Sequence, residues 1–417
     1  MSRQSDPMTR LAALAVTLGG MIAAPVMAEP PTFALEGGIS AYGQLATDRA
    51  TALVPNPAAR GYKGTGTGLD LVLAPKVTVG PLRFEGRFRA QARSGSDHDF
   101  MTDEAFVEWA ISDTVFLSAG RRNLSFGQSY GINPADLFRD PLAETRLYPT
   151  ETSRAMAGGV DLLGLDVLFD SGASLKLLYA PEDPVDAKRQ FFMVQYAGLA
   201  MDGTLDYALS AFGGARPGVS LSLSRGVGEA TVIYADAIFR RGRDRSVVSG
   251  LSAATALTFD AQNDGRIYPK VTLGLGHTLA SGLSFNVEIT HDANGLSNSE
   301  WTQAMGALDA LTPVTSAAGG AALGQLNGAL GQYTQRQNYG FVRLAKDNLW
   351  GSEFSTEFTV LHGFDDGSGS LGLRLTHPLG ERGQIGLVAS HGYGGEQGEF
   401  TMRPGQTTLS LYTTVSF

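Results

Sequence analysis

No cysteine occurs among the 417 residues, which removes disulfide frameworks, thiolate nucleophiles and cysteine-ligated metals. Charge is sparse: Asp, Glu, Lys and Arg make up 18% of the chain, below the roughly 25% of soluble globular proteins. Positive charge is in deficit, with 32 basic against 41 acidic side chains. The basic footprint that nucleic acid selects is therefore missing. Beyond residue 28 no stretch approaches the roughly 20 apolar residues of a membrane-crossing helix. What is plentiful is glycine, 53 residues, without the three-residue period of collagen. A content of 43% hydrophobic and 9% aromatic residues is too much to leave unburied in a disordered chain.

The N-terminus indicates export. Arg3 and Arg10 precede an apolar run over 11–24, and Pro25-Val26-Met27-Ala28 follows. Basic residues, an apolar core and small residues at −3 and −1 predict a secretory signal cleaved after Ala28. Residues 29–417 are then one mature domain.

From Phe33 onward the apolar residues recur with period 2. In Leu82–Arg93, Leu82, Phe84, Phe88 and Ala90 alternate with Arg83, Glu85, Arg87, Arg89 and Arg93. Phe285, Val287 and Ile289 alternate with Asn286, Glu288 and Thr290. Such strands have one wet face and one apolar face. Short turns fall at 80–81, 112–113, 170–172, 202–203, 226–228, 280–282, 347–348 and 379–382. Glycine, Asp and Asn in them tolerate φ > 0. Longer polar or Gly/Pro-rich stretches lie between, at 48–66, 128–153, 181–188, 241–266, 292–334 and 394–405.

Alternating short and long connections predict a transmembrane antiparallel β-barrel, with short periplasmic turns and long outer loops. Eight turns give about 18 strands. The weakest signal is at 226–228, and without it the count is 16. Phe84, Trp109, Phe116, Tyr207, Phe285 and Trp350 fall beside the short turns, where a lipid-facing aromatic girdle belongs. A soluble β-sandwich would scatter them inside.

The alternating segment 407–417, ending in Phe417, resembles the assembly signal of Gram-negative outer-membrane porins. Gly120-Arg-Arg-Asn-Leu-Ser-Phe-Gly127, followed by Asn133-Pro-Ala-Asp136, is similar to a stretch of large porin-like barrels, the alginate-export type included. The resemblance implies an outer-membrane location and recognition of the terminal strand by the barrel-assembly machinery. Lipid, lipopolysaccharide and small hydrophilic solutes are the implied partners, and a homo-oligomer is compatible with it.

Motifs for other chemistry fit poorly. Gly127-Gln-Ser129-Tyr-Gly131 matches the G-x-S-x-G elbow of serine hydrolases, but no amphipathic helix follows it. A barrel-borne esterase would need a histidine at Ser129. Gly367-Ser-Gly-Ser-Leu-Gly372 matches G-x-G-x-x-G yet precedes a strand instead of following one, so it reads as loop glycine. Asp97-His98-Asp99 and Asp365-Asp366 read as solvated acidic loop tips without EF-hand spacing. The small residues Gly320, Gly324 and Gly328 read as a short helical or flexible part of an outer loop. No enzyme activity, metal or cofactor is expected.

The charged strand carries the functional expectation. If Phe84 and Phe88 face lipid, Arg83, Arg87, Arg89 and Arg93 face the lumen, opposite Glu104 and Glu108 on the next strand. Such charges demand a wet interior, where they stiffen the wall, guide solute, or both. Arg122, in the porin-like stretch, joins the proposed pore lining. In porins the third outer loop folds inward. The corresponding segment, 128–153, combines Asp136, Arg139, Asp140, Glu144 and Arg146 with apolar Leu137, Phe138, Leu142 and Tyr148. A loop packed against the wall needs such anchors. Its acids would face the arginines across a constriction. The expected function is passive diffusion of small hydrophilic solutes. The rival, export of an anionic polysaccharide, would need a continuous basic track.

Overall fold

The computed structural model describes residues 30–47, 50–57, 64–94, 98–138, 158–184, 186–243, 245–252, 256–260, 265–314, 316–330, 334–402 and 404–417. Residues 1–28, the expected signal segment, lie outside them. Apolar residues at every second position, broken by turn residues, give strands in near-continuous succession. The first are β1 (Thr32–Ala46), β2 (Thr65–Val79), β3 (Leu82–Arg93), β4 (Asp99–Ser112), β5 (Val115–Arg122) and β6 (Val160–Leu168). Next come β7 (Ser174–Ala180), β8 (Phe191–Ala200), β9 (Leu205–Gly213), β10 (Gly218–Val227) and β11 (Thr231–Arg241). A small outer hairpin, β12 (Val248–Ser252) with β13 (Ala256–Phe259), precedes β14 (Ile267–Thr278) and β15 (Leu283–Asp292). Two helices, α1 (Asn298–Leu311) and α2 (Ala317–Leu330), follow. The chain ends with β16 (Asn338–Lys346), β17 (Ser355–Gly363), β18 (Gly369–Leu379), β19 (Gly383–Tyr393) and β20 (Thr407–Ser416).

All strands except β12 and β13 form one 18-stranded sheet. It closes where β1 pairs antiparallel with β20, from Gly38 opposite Ser416 to Ala46 opposite Thr408. Closure leaves no edge of unpaired backbone, which the bilayer interior requires. The 226–228 signal is real: β10 and β11 meet there as an antiparallel hairpin, so the larger strand count holds. At the seam, the Phe417 ring lies over Gly37, where a Cβ would come within 2.7 Å of it.

The alternation is inside-out. On β15, Ile289 is 56% exposed while its neighbour Glu288 is 1% exposed. Apolar side chains face the surroundings and polar ones the interior, as a lipid-immersed wall demands. Trp109, Phe84, Tyr207 and Phe285 all lie on the outer face near the short turns, and Trp350 in its turn is 91% exposed. Phe116 is the exception. It pairs with Ala110 and Asp166 on the lumen side, because it shares the even-numbered face of β5 with Ser118 and Arg122.

Outer loops carry a hydrophobic core of their own. Leu53 and Val54 of the first loop, Val247 and Val248, Trp301, Leu308 and Leu311 of α1, Leu323 and Leu326 of α2, and Met402 pack together. The start of α1 is fixed by a capping box between Ser297 and Glu300. Arg243 donates to Glu300 Oε1 at 2.5 Å from the preceding outer loop. Burial opposes ionisation of Glu300, but Arg243 and the Ser297 donors outweigh it and hold this carboxyl below its usual range. The segment with Gly320 and Gly328 is therefore a formed helix. Both glycines face open space, so they serve no close helix packing.

Candidate functional site: the lumen wall and its crossing loop

The arginines of β3 lie where the alternation puts them. Register sets Arg83 opposite Glu108 and Arg87 opposite Glu104 on β4. Ion pairs follow it: Arg83–Glu108 at 3.2 Å, Arg87–Glu104 at 3.4 Å and Lys76–Glu85 at 3.0 Å. Between Arg87 and Phe88 the register slips by one, so that Phe88 meets Thr102. The extra residue is Asp103, and a bulge of this kind re-aims side chains. It places Asp103 Oδ1 2.8 Å from Arg89 Nη2, with side chains only 2% and 7% exposed. Arg93 donates to Gln91 Oε1 at 3.0 Å. Arg122 on β5 donates to Ser118 Oγ at 2.9 Å and stands 4.8 Å over the Phe106 ring. Arginine and acid thus alternate along this wall, each cation beside an acceptor.

The third outer loop, between β5 and β6, crosses the lumen. On a ring of 18, strands nine places apart face each other, and β16 is nine ring places from β5. Residues 128–132 reach β11, β14, β15 and β16, six to nine places round the ring. The Gln128 and Ser129 amides both donate to Asp236 Oδ2 at 2.8 Å, and Ser129 Oγ donates to the same oxygen at 2.5 Å. Asp236, on β11, also accepts from Ser222 Oγ on β10 at 2.5 Å. Two residues on, the Tyr130 and Gly131 amides donate to Glu288 Oε1 and Oε2 at 2.6 and 2.9 Å. Tyr234 OH donates to Glu288 Oε1 at 2.8 Å. Thr272 Oγ1 of β14 donates to the Ile132 carbonyl at 2.8 Å, and Arg343 of β16 stands 5.1 Å over the Tyr130 ring. Charged acceptors make these the stronger class of hydrogen bond. Gly131 lies against Phe341, where a Cβ would sit 2.5 Å from the ring.

Beyond the crossing, Leu137 and Phe138 return to the wall of β6 to β9. They are buried with Leu162, Leu178, Phe191, Met193 and Phe212, and the Phe138 and Phe191 rings meet edge-on at 5.0 Å. These are the apolar anchors anticipated from the sequence. Leu142 and Tyr148 lie outside the described residues, as do Arg139, Asp140, Glu144 and Arg146. Asp136 accepts from Ser125 Oγ at 3.4 Å within the loop, Glu104 of β4 accepts the Asn123 amide at 3.0 Å, and the carboxylates that meet residues 128–131, Asp236 and Glu288, belong to the wall across the lumen. Sequence reading missed both as anchors. The available signal was an acid flanked by uncharged residues on the wet face of its own strand, Asp236 between Tyr234 and Ile238 and Glu288 between Asn286 and Thr290.

The same geometry accounts for the elbow-like motif. Ser129 is fully buried and donates to a carboxylate. The ring nitrogens of His277, His291, His362 and His391 pair with Thr231, Asn338, Tyr393 and Thr407. Asp365 and Asp366 also differ from solvated tips, since both fasten outer loops. Asp365 Oδ2 accepts the Gln337 and Asn338 amides at 2.8 Å, and Asp366 Oδ2 accepts the Glu399 amide at 2.8 Å. Among the described residues no group of three or more His, Asp or Glu is placed to hold a metal ion.

Glu399, in the loop between β19 and β20, accepts from the Gln335 amide at 2.7 Å and from Tyr339 OH at 2.6 Å. Its neighbour Phe400 packs on Ile132 of the crossing loop. Burial pushes the Glu399 carboxyl above its usual range and Asp366 adds to this, while Tyr339, the Gln335 amide and Arg245 oppose it. A raised folded-state value means that docking is strongest below the ordinary carboxylate range and weakens as pH rises through the raised value. Hydrogen exchange over 394–406, corrected for intrinsic rate, should accordingly be slower at pH 5 than at pH 8. The Glu399→Gln variant should lose that difference, and an equal pH response in both proteins would assign it elsewhere.

No family model matches this chain, and no curated sequence does. Solved structures do. OprD of Pseudomonas aeruginosa aligns with 95% of this chain and 98% of its own, at 9% identity and a TM-score of 0.56. OccK11 (OpdR) of the same organism aligns over 92% and 96%, at 12% identity and 0.55. OccK5 (OpdH) aligns over 92% and 98%, at 8% identity and 0.52. Strand number, closure, inside-out patterning and these likenesses agree: the chain folds as an 18-stranded antiparallel β-barrel of the kind seen in the OprD and Occ porins of Pseudomonas aeruginosa.

Proposed function

We propose that this barrel is a channel in the Gram-negative outer membrane, through which small hydrophilic solutes diffuse passively along a charge-lined aqueous lumen. The observation that carries the reading is the polar lumen crossed by residues 128–132. A packed interior would bury the wall polar groups at prohibitive cost, whereas a wet one lets them sort solutes by size and field. Arg83, Arg87, Arg93, Glu104, Glu108 and Arg122 would line it beside the crossing loop, and Arg139, Asp140, Glu144 and Arg146 would belong to the same constriction. Arg89 is too enclosed to share that role. Interleaved acids interrupt the arginines, which disfavours export of an anionic polysaccharide on a continuous basic track.

Purified protein in planar bilayers should give discrete, ohmic conductance steps in KCl, and vesicles containing it should swell in small neutral solutes faster than in large ones. A folded, heat-modifiable barrel that passes neither ions nor solutes would overturn the reading.

A further inference from the structure

Below the crossing loop, toward the short turns, the lumen wall holds a pocket of about 220 Å³. This is smaller than the roughly 300–1,000 Å³ of sites that take drug-sized ligands, and so suits a solute of one ring. Strands β8, β9 and β10 build its wall, bringing Gln195, Asp206, Ser222 and Ser224 into it, and Ser125 to Gln128 of the crossing loop form its roof. Register accounts for the grouping, with Asp206 opposite Ser224 and Ala208 opposite Ser222. Hydroxyls continue up the same face at Ser210 and Ser220, and Gln195 Nε2 donates to Ser210 Oγ at 3.1 Å.

The chemistry of this lining differs from that of the arginine wall. Among the described residues no Lys or Arg lines the pocket. The lumen cation opposite Gln195, Lys176, is held by Asp166 at 3.1 Å. The Ser224 hydroxyl and the second N–H of Gln195 can donate, whereas Ser222, whose proton goes to Asp236, and the Asp206 carboxylate offer acceptors. Such a mixture matches a ligand whose own groups do both. An ammonium group would need acceptors alone, and an anion would meet Asp206. Phe126 adds an apolar surface, backed by the Phe138 ring at 5.9 Å, against which the C–H face of a ring can lie.

Resting on the channel reading, we propose that this pocket is a binding subsite for a small, neutral, polyhydroxylated solute of monosaccharide size, passed on from the constriction toward the periplasmic mouth. Three probes of similar size separate the alternatives by charge: D-glucose, D-glucosamine and D-glucuronate. Each is titrated against the KCl current of single channels. Glucose should reduce the current saturably, with half-saturation about tenfold lower than for glucuronate and no higher than for glucosamine. Separately, Ser224→Ala and Asp206→Ala should each raise the glucose half-saturation about tenfold, the loss of one hydrogen-bonding partner, with folding verified by heat-modifiable gel migration. A non-saturating glucose response, tighter block by glucuronate, or glucosamine binding tenfold tighter than glucose would each overturn the subsite. If the channel conducts KCl but ignores glucose, only the subsite fails. If a folded barrel carries no current, the channel reading fails with it.

Discussion

Removing both far-wall carboxylates, in Asp236→Ala/Glu288→Ala, is expected to enlarge the single-channel conductance clearly and to add open-state noise. The crossing segment is held there by amide pairs on two carboxylates and by the Ser129 hydroxyl. A hydrogen bond to a charged group is worth roughly 1.5–3 kcal/mol net. Even one such loss per carboxylate shifts the balance between docked and undocked loop by about a hundredfold, at 1.4 kcal/mol per factor of ten. The freed amides can turn to lumen water, so the loop loses its seat while the wall stays intact. Leu137 and Phe138 still tether the other end, which is why noise should accompany the larger current. Glu288→Gln keeps an acceptor for one amide and should give a smaller change. Unaltered conductance in a double variant that still migrates as a folded barrel would show that residues 128–132 do not narrow the pore.

The architecture was legible because a membrane wall reverses the usual rule strand by strand. Phe285, Val287 and Ile289 declare the outer face, and Asn286, Glu288 and Thr290 the inner one, within six consecutive positions. Turn chemistry then counts the strands, down to the glycines at 226 and 228. The apolar pair Leu137–Phe138 likewise announced a packed loop before any contact was known. What sequence could not supply was partnership across the barrel. Asp236 and Gln128 are 108 residues apart, and no local pattern links them. Asp365 and Asp366 looked like loop tips for the same reason, since their partners come from other loops. The bulge at Asp103 was equally silent, because strict alternation predicts no extra residue, and it changes what Arg89 does.

That bulge divides the arginine row into two kinds of residue, with opposite expected phenotypes. Arg89 and Asp103 are 7% and 2% exposed, so Arg89→Ala leaves a buried carboxylate without its guanidinium. Breaking one side of a buried pair costs about 3–5 kcal/mol. The variant should therefore assemble poorly and lose its heat-resistant gel form at markedly lower temperature. Arg83 and Arg87 are 37% and 28% exposed at the side chain, and pairs in contact with water contribute about 1 kcal/mol or less. Arg83→Glu/Arg87→Glu should fold with modest loss. Its effect belongs to permeation, because reversing two charges within a Debye length of about 8 Å of the solute path alters the local field directly. A salt-gradient measurement should show the reversal potential moving toward cation preference. Arg89→Met, which removes the charge but keeps volume, should reproduce the assembly defect and not the selectivity change. If Arg83 and Arg87 variants assemble as poorly as Arg89→Ala while any channels formed keep their selectivity, the whole row is wall structure and the field along the lumen must come from other groups.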